Sequence, residues 1–288
     1  MFTTTKDGLI AHLKQDLGIK KNDLVFMHSG ITGLGRLEQG LETITAAWQE
    51  VLPEGLLVIP TFTYSWCEGK PFDPLVSECP ASVGSYSQHV WKDPRFVRSS
   101  DPNFSVAALK NALNGKIIEK MFKTGRSCFG TNSVFDHMVQ LALDRDAYIM
   151  LLGGAHSDCV FRTTFIHHVE EKVGVPNRYL KKFYHPENKN DYVEQLVRFF
   201  SFEEYRQATG REDAAYDFPI RPDYALLGED LIKDHLVVSK PLAYSRTRMV
   251  PLRAFCDYVE RKLKDIPDYF VHPPTSCTTG MSDEASLR

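Results

Sequence analysis

Apolar residues set the first outline of the chain. Leu9, Ile10, Leu13 and Leu17 fall at helical spacing and predict an amphipathic helix over residues 5–17. The run LVFMH (24–28) is apolar up to His28 and leads into SGITGLG, which predicts a buried strand entering a loop. The helical pattern returns over 37–52, and GLLVIPTFT (55–63) predicts a second buried strand, stopped by Pro60. Residues 64–104 carry many Pro, Ser, Asp and aromatic residues with little period. They predict irregular loops with one short helix near 85–91, and a stretch of that length inside a compact domain is usually functional. SVAALK (105–110) predicts a strand, SVFDHMVQLALD (133–144) a helix, AYIMLLGG (147–154) a third buried strand, and 161–173 a further helix.

In the second half, RYLKKFYH (178–185) and YVEQLVRFF (192–200) predict two antiparallel strands. Residues 202–209 and 222–233 read as helical and 246–250 as a strand. LRAFCDYVERKLK (252–264) is an amphipathic helix. The order predicts an α/β fold, a mixed central sheet flanked by helices. One domain over 1–272 is expected, followed by a small, polar, mobile tail over 273–288.

Composition narrows the function classes. With 43% hydrophobic and 25% charged residues the chain can bury a real core. A net charge of −3 provides no general field for a polyanion, so nucleic acid is not expected as a partner. Cys67, Cys79, Cys128, Cys159, Cys256 and Cys277 form no CxxC pair and fit no zinc ribbon, so they read as free thiols in a reducing compartment. The N-terminus lacks the basic-then-apolar order of a signal peptide, and no run approaches the roughly 18 apolar residues of a membrane span. A cytoplasmic protein with no membrane partner is the expectation.

Four segments could carry chemistry. In FRTTFIHHVEEKV (161–173), positions three and four apart share a helix face, which lines up Thr164, His167, Glu170 and Glu171. A histidine with a carboxylate one turn away is a workable general base, although a solvated polar face is the commoner meaning of such spacing. His156, Cys159, His167 and His168 are close in sequence. Adjacent helical histidines nevertheless point about 100° apart, so no metal site is expected. HSGITGLG (28–35) could present backbone N–H groups to phosphate, or be an ordinary turn. RSSDPNFSVAALK (98–110) forms a polar corner around Asp101 and Pro102, and PTFTY (60–64) a strand end. Capped turns and β composition also explain both.

The order of these segments is more specific than any one of them. HSGITGLG, PTFTY, RSSDPNFSVAA and TTFIHHVEE closely resemble the aminoglycoside 3-N-acetyltransferase family, which shows HSSLxxLG, PTFT, RSxHPxxSxAA and TxLHxxE in that order. The match covers roughly 5–175 well and continues more loosely to about 265. The resemblance implies the antibiotic N-acetyltransferase fold, acetyl-CoA or another acyl-CoA as cosubstrate, no metal, and acylation of an amine. It implies that His28, Ser29, Gly30, Leu34 and Gly35 receive the coenzyme, with Thr61, Thr63 and Ser105 along the same channel. It places the catalytic histidine on His167 and its acidic partner on Glu170.

On the acceptor side the candidates are Asp101, Arg98, Tyr64 and Glu171. Asp101 departs from the family, which has histidine there. It could hold a cationic amine or pair with His167, and it could equally cap a turn. The mildly acidic chain fits a singly charged amino sugar, free or nucleotide-linked, at least as well as a polycationic antibiotic. EDAAYDFPIRPDYALLGED could supply carboxylates, but it also brings Arg211 and Arg221 nearby. The partners expected are an acyl-CoA and a small-molecule amine, with a homodimer as one option for the assembly. A non-catalytic coenzyme or sugar binder and a metal-dependent hydrolase are the competing classes.

Overall fold

The three longest apolar runs become neighbouring strands at the centre of a seven-stranded sheet: β2 (Leu24–Gly30), β4 (Leu56–Pro60) and β7 (Ala147–Gly153). Their central stretches are apolar at successive positions because both faces are covered. Leu24, Phe26, Leu56, Val58, Ile149 and Leu151 enter one core, and Val25, Met27, Leu57, Ile59, Met150 and Leu152 the other. The computed structural model describes residues 2–63, 70–154, 163–175, 178–184, 190, 192–199, 206–207, 210, 224–266 and 269. Tyr64, Cys67, His156, Cys159, Arg211, Arg221, Cys277, most of 202–209 and the tail 273–288 lie outside the described residues.

The sheet order is β10-β11-β7-β2-β4-β6-β5, with β5 (Phe96–Arg98), β6 (Val106–Leu109), β10 (Val238–Leu242) and β11 (Ser245–Pro251). β7, β2 and β4 run parallel, and every other pairing is antiparallel, so the sheet is mixed as expected. On one face lie α1 (Lys6–Ala11), α2 (Glu42–Val51) and α3 (Ser85–Val90), whose Leu9, Ile44, Trp48 and Tyr86 are fully buried. On the other lie α4 (Gly115–Phe122), α5 (Val134–Leu141), α6 (Phe165–Val173) and α8 (Leu252–Asp265). α7 (Tyr224–Lys233) packs there through Leu227 and Leu231. No helix among the described residues is long and apolar enough to cross a membrane.

Three local readings change. The helix expected over 37–52 begins only at Glu42, because Arg36–Leu41 forms β3 and pairs with the two-residue β1 (Thr3–Thr4). α4, β5 and β10 were not anticipated. β10 is a largely exposed edge strand, and β5 has only three residues. The expected hairpin does form, as β8 (Arg178–Tyr184) and β9 (Tyr192–Arg198), but outside the main sheet. It is tied to the 126–128 segment by Leu196 N–H to Arg126 O at 2.8 Å and Cys128 N–H to Leu196 O at 3.0 Å.

Candidate active site

β2 and β7 run parallel side by side. The helix after β2 packs on one face of the sheet and the helix after β7 on the other. Their carboxyl ends therefore form a topological switch point, where open α/β sheets bind ligands. Gly30 and Gly153 are register partners at this point. His28 projects on the α6 face: its ring meets Phe26 edge-on at 5.1 Å, and its Nε2 is 3.3 Å from Thr163 Oγ1. Ser29 and Gly30 follow, half-buried, at the strand end. Leu34 is fully buried, its carbonyl accepting from Thr4 Oγ1 at 2.6 Å, and Gly35 has φ +71° against Phe2 O. This loop is thus anchored by the N-terminal strand.

The next strand end carries Thr61, Thr63 and Ser105, all buried. Thr61 O accepts from Arg98 Nη2 at 2.6 Å and from Ser105 Oγ at 2.8 Å. Arg98 also donates to Ser105 Oγ, Ser77 O and Pro74 O, which binds the 74–77 loop to the sheet. Burial pulls its guanidinium down to about 10, still charged at neutral pH. The Thr61 hydroxyl is buried with no hydrogen-bond partner among the described residues. An orphaned donor at a strand end fits a ligand with carbonyl acceptors such as the pantetheine amides.

α6 carries a buried histidine–carboxylate pair. Gly174 ends this helix in the left-handed conformation, with its N–H to Glu171 O and Val175 N–H to Glu170 O, so the last turn is held firmly. His167 and Glu170 lie one turn apart and both are buried. His167 Nδ1 is 3.0 Å from Glu170 Oε2. Burial pushes the Glu170 carboxyl up, but His167, Arg198 and Arg178 outweigh it and hold the group below its ordinary range. An ionised carboxylate only accepts, so Nδ1 carries the proton and Nε2 the lone pair. Burial, then Arg198 and Arg178, bring His167 down to about 4 against the opposing pull of Glu170. The Phe104 and Phe129 rings lie 6.1 Å and 5.2 Å from the imidazole. His168 faces elsewhere, its Nδ1 2.5 Å from Phe129 O.

Among the acceptor-side candidates, Asp101 does not pair with His167. Its Oδ1 accepts from Asn103 N at 2.8 Å and Phe104 N at 2.7 Å, and its Oδ2 from Gln195 Nε2 at 2.6 Å. This is the capped turn, with a link to β9. Glu171 accepts from Ser127 Oγ and from Arg178 Nε. A Cβ on its neighbour Gly130 would lie 2.1 Å from Glu171 Oε1, so a larger residue there would have to displace that carboxylate. Motif reading missed Phe104 and Phe129, which flank His167, and Arg178 and Arg198, which flank Glu170. An arginine at each far end of a predicted hairpin was the one available signal for the latter pair.

Comparisons with known proteins accord with this geometry. The aminoglycoside 3-N-acetyltransferase family matches residues 26–264. No curated protein matches by sequence. Among solved structures, the apoenzyme of aminoglycoside acetyltransferase AAC(3)-IVa has a TM-score of 0.71 at 22% identity, covering 95% of this chain and 94% of its own. AAC-IIIb in binary complex with CoASH gives 0.68 at 18%, covering 92% and 97%. The YokD protein from Bacillus subtilis gives 0.68 at 19%, covering 93% and 96%. These likenesses establish the fold.

Proposed function

The chain belongs to the aminoglycoside 3-N-acetyltransferase family, and on that footing we propose that it transfers an acetyl group from acetyl coenzyme A to the amine of an amino sugar, with His167 as general base. The observation that carries this reading is the buried His167–Glu170 pair at 3.0 Å, at the sheet's switch point. The coenzyme A held by AAC-IIIb supports the donor. His28, Ser29, Gly30, Leu34 and Gly35, with Thr61, Thr63 and Ser105, are the residues that would hold it.

The thioester supplies the acyl carbon and a thiolate leaving group. The amine lone pair forms the new C–N bond, and the C–S bond breaks. His167 Nε2 takes the amine proton, and Glu170 stabilises the imidazolium through Nδ1. His167 stays neutral at neutral pH, so the base needs no prior deprotonation. The Phe104 and Phe129 rings keep water from its flanks.

For the acceptor we place a singly charged amino sugar, free or nucleotide-linked, ahead of a polycationic antibiotic. Polycations call for uncommitted carboxylates. Among the described residues near His167, Glu170, Glu171 and Asp101 are each already engaged. The second reading, an aminoglycoside, is favoured by AAC(3)-IVa and AAC-VIa, whose structures hold a gentamicin and sisomicin respectively.

The test is thiol release from acetyl-CoA against amino sugars, nucleotide amino sugars and aminoglycosides. Turnover lost in His167→Ala, with coenzyme A binding intact by calorimetry, supports the base. Turnover retained in that variant overturns it, and binding without any turnover in the wild type leaves a non-catalytic binder.

A further inference from the structure

Arg178 and Arg198 stand directly opposite each other across the β8–β9 hairpin. Like charges in that position repel and destabilise an isolated ribbon. Here one carboxylate lies against both. Glu170 Oε2 is 3.6 Å from Arg178 Nη2 and 3.7 Å from Arg198 Nε. Arg178 also donates to His167 O at 2.7 Å, and its Nε is 3.2 Å from Glu171 Oε2. The side chains of the two arginines are only 7% and 6% exposed, and that of Glu170 is fully buried. The hairpin is thus held on the final turns of α6 by buried charge.

We propose that Arg178 and Arg198 are positioning residues that lock Glu170 as a carboxylate against His167 Nδ1, and so keep His167 the neutral, proton-accepting form of the base. The proposal rests on the reading of His167 as the base. Its logic is charge balance. Among the described residues in ion-pair contact here, Arg178 and Arg198 offset Glu170 and Glu171 while His167 is uncharged. A proton on His167 would leave one positive charge uncompensated in a desolvated place, which is costly. Without the arginines, Glu170 would lose part of the charge that offsets its burial, and a proton on His167 would meet less repulsion.

Among the described residues, the other titratable groups near the pair have partners or burial of their own. Asp101 on the 101–104 turn is pushed up by burial and held by amides and Gln195. Burial keeps the Cys128 thiol protonated. On α6 itself, burial lowers His168, and Glu171 is engaged with Arg178. His28, at the end of β2, contacts Thr163.

The test is an NMR titration of the full chain with 13C-labelled histidine, the His167 signal being assigned by its loss in His167→Gln. In the wild type His167 should remain neutral down to about pH 5, and in Arg198→Gln its midpoint should rise by about one pH unit. Arg198→Lys, which keeps the charge, should keep the low midpoint. The acid limb of kcat/KM for acetyl-CoA-dependent thiol release should move with it. An unmoved midpoint in folded Arg198→Gln overturns the proposal. Should that variant not fold, Arg198→Lys decides: a low midpoint supports the inference, and one that rises despite the retained charge overturns it. Turnover surviving in His167→Ala would remove the base reading alone, because the titration of His167 is measured without substrate.

Discussion

Gly30 and Gly153 face each other in the β2–β7 ladder, and neither has room for a side chain. A Cβ on Gly30 would lie 2.2 Å from Gly154 Cα, and one on Gly153 would lie 2.4 Å from Gly30 O. Gly153 also has φ +65°, a conformation that favours glycine. The close approach seats the two strand ends that frame the switch point. Gly30→Ala should therefore lower stability by about 2 kcal/mol or more and weaken coenzyme binding. Gly115→Ala is the control. It opens α4 with nothing near its Cβ, so it should be neutral or stabilise by up to about 1 kcal/mol. Thermal unfolding of both variants checks this, and equal melting temperatures would refute the close-packing argument.

Asp101 supports a turn, and the prediction follows from its bonds. Asp101→Asn can still accept both amides through Oδ1. Its Nδ2 can donate to Gln195 Oε1, which is buried without a partner among the described residues, if that amide flips. Asp101→Ala cannot, and it strands two amides and Gln195. The alanine variant should lose about 1–3 kcal/mol in urea unfolding, and the asparagine variant much less. The apparent KM for the acceptor separates this from direct substrate contact. A large rise in Asp101→Asn with stability unchanged would restore the acceptor role.

Stability should fall as the solution is acidified from near pH 6.5. His167 has a folded value of about 4 against an ordinary 6.5, so between these values the unfolded chain binds a proton that the folded chain excludes. His167 therefore contributes stability above pH 6.5 that is lost progressively down to about 4. His168 is lowered too and acts in the same sense. Asp101, raised by burial, acts oppositely, the folded form taking its proton first. The histidine loss is on the order of a few kcal/mol. Urea midpoints measured from about pH 7.5 to about pH 5 should fall in the wild type and fall less in His167→Gln. A flat wild-type profile would contradict the burial of a neutral His167.

The central sheet was legible because its strands are covered on both faces: a run such as LLVIP has no polar position to confuse its period. Helical spacing put His167 and Glu170 on one face, but a polar face was the commoner meaning of that spacing, and only the order of the motifs singled the pair out. Elements with little apolar content were not legible. β10 is an exposed edge, and β3 is polar enough to merge with the helix after it. The setting of the site was hidden for a different reason. Arg178 and Arg198 meet Glu170 only through hairpin register, and Phe104 reaches His167 only through the turn that Asp101 caps. Such contacts depend on tertiary docking, which no local period encodes.

Arg98 gives the last prediction. Its guanidinium spans Ser105 Oγ, Thr61 O, Ser77 O and Pro74 O, and it lies 5.3 Å and 5.7 Å from the Phe72 and Trp91 ring centres. Several acceptors in different directions need a planar, multi-donor fork, and lysine offers a compact ammonium instead. Arg98→Lys keeps the charge but must leave some of these buried carbonyls unpaired, at about 1–3 kcal/mol. The Thr61 carbonyl sits at the strand end assigned to the coenzyme, so the looser loop should raise the coenzyme A dissociation constant. The acceptor KM should change less, since none of Arg98's side-chain nitrogens is left over once these bonds are made. Calorimetry with coenzyme A and acceptor saturation curves on Arg98→Lys measure both. A selective rise in the acceptor KM, with coenzyme binding and melting temperature unchanged, would mean that Arg98 contacts the amine substrate after all.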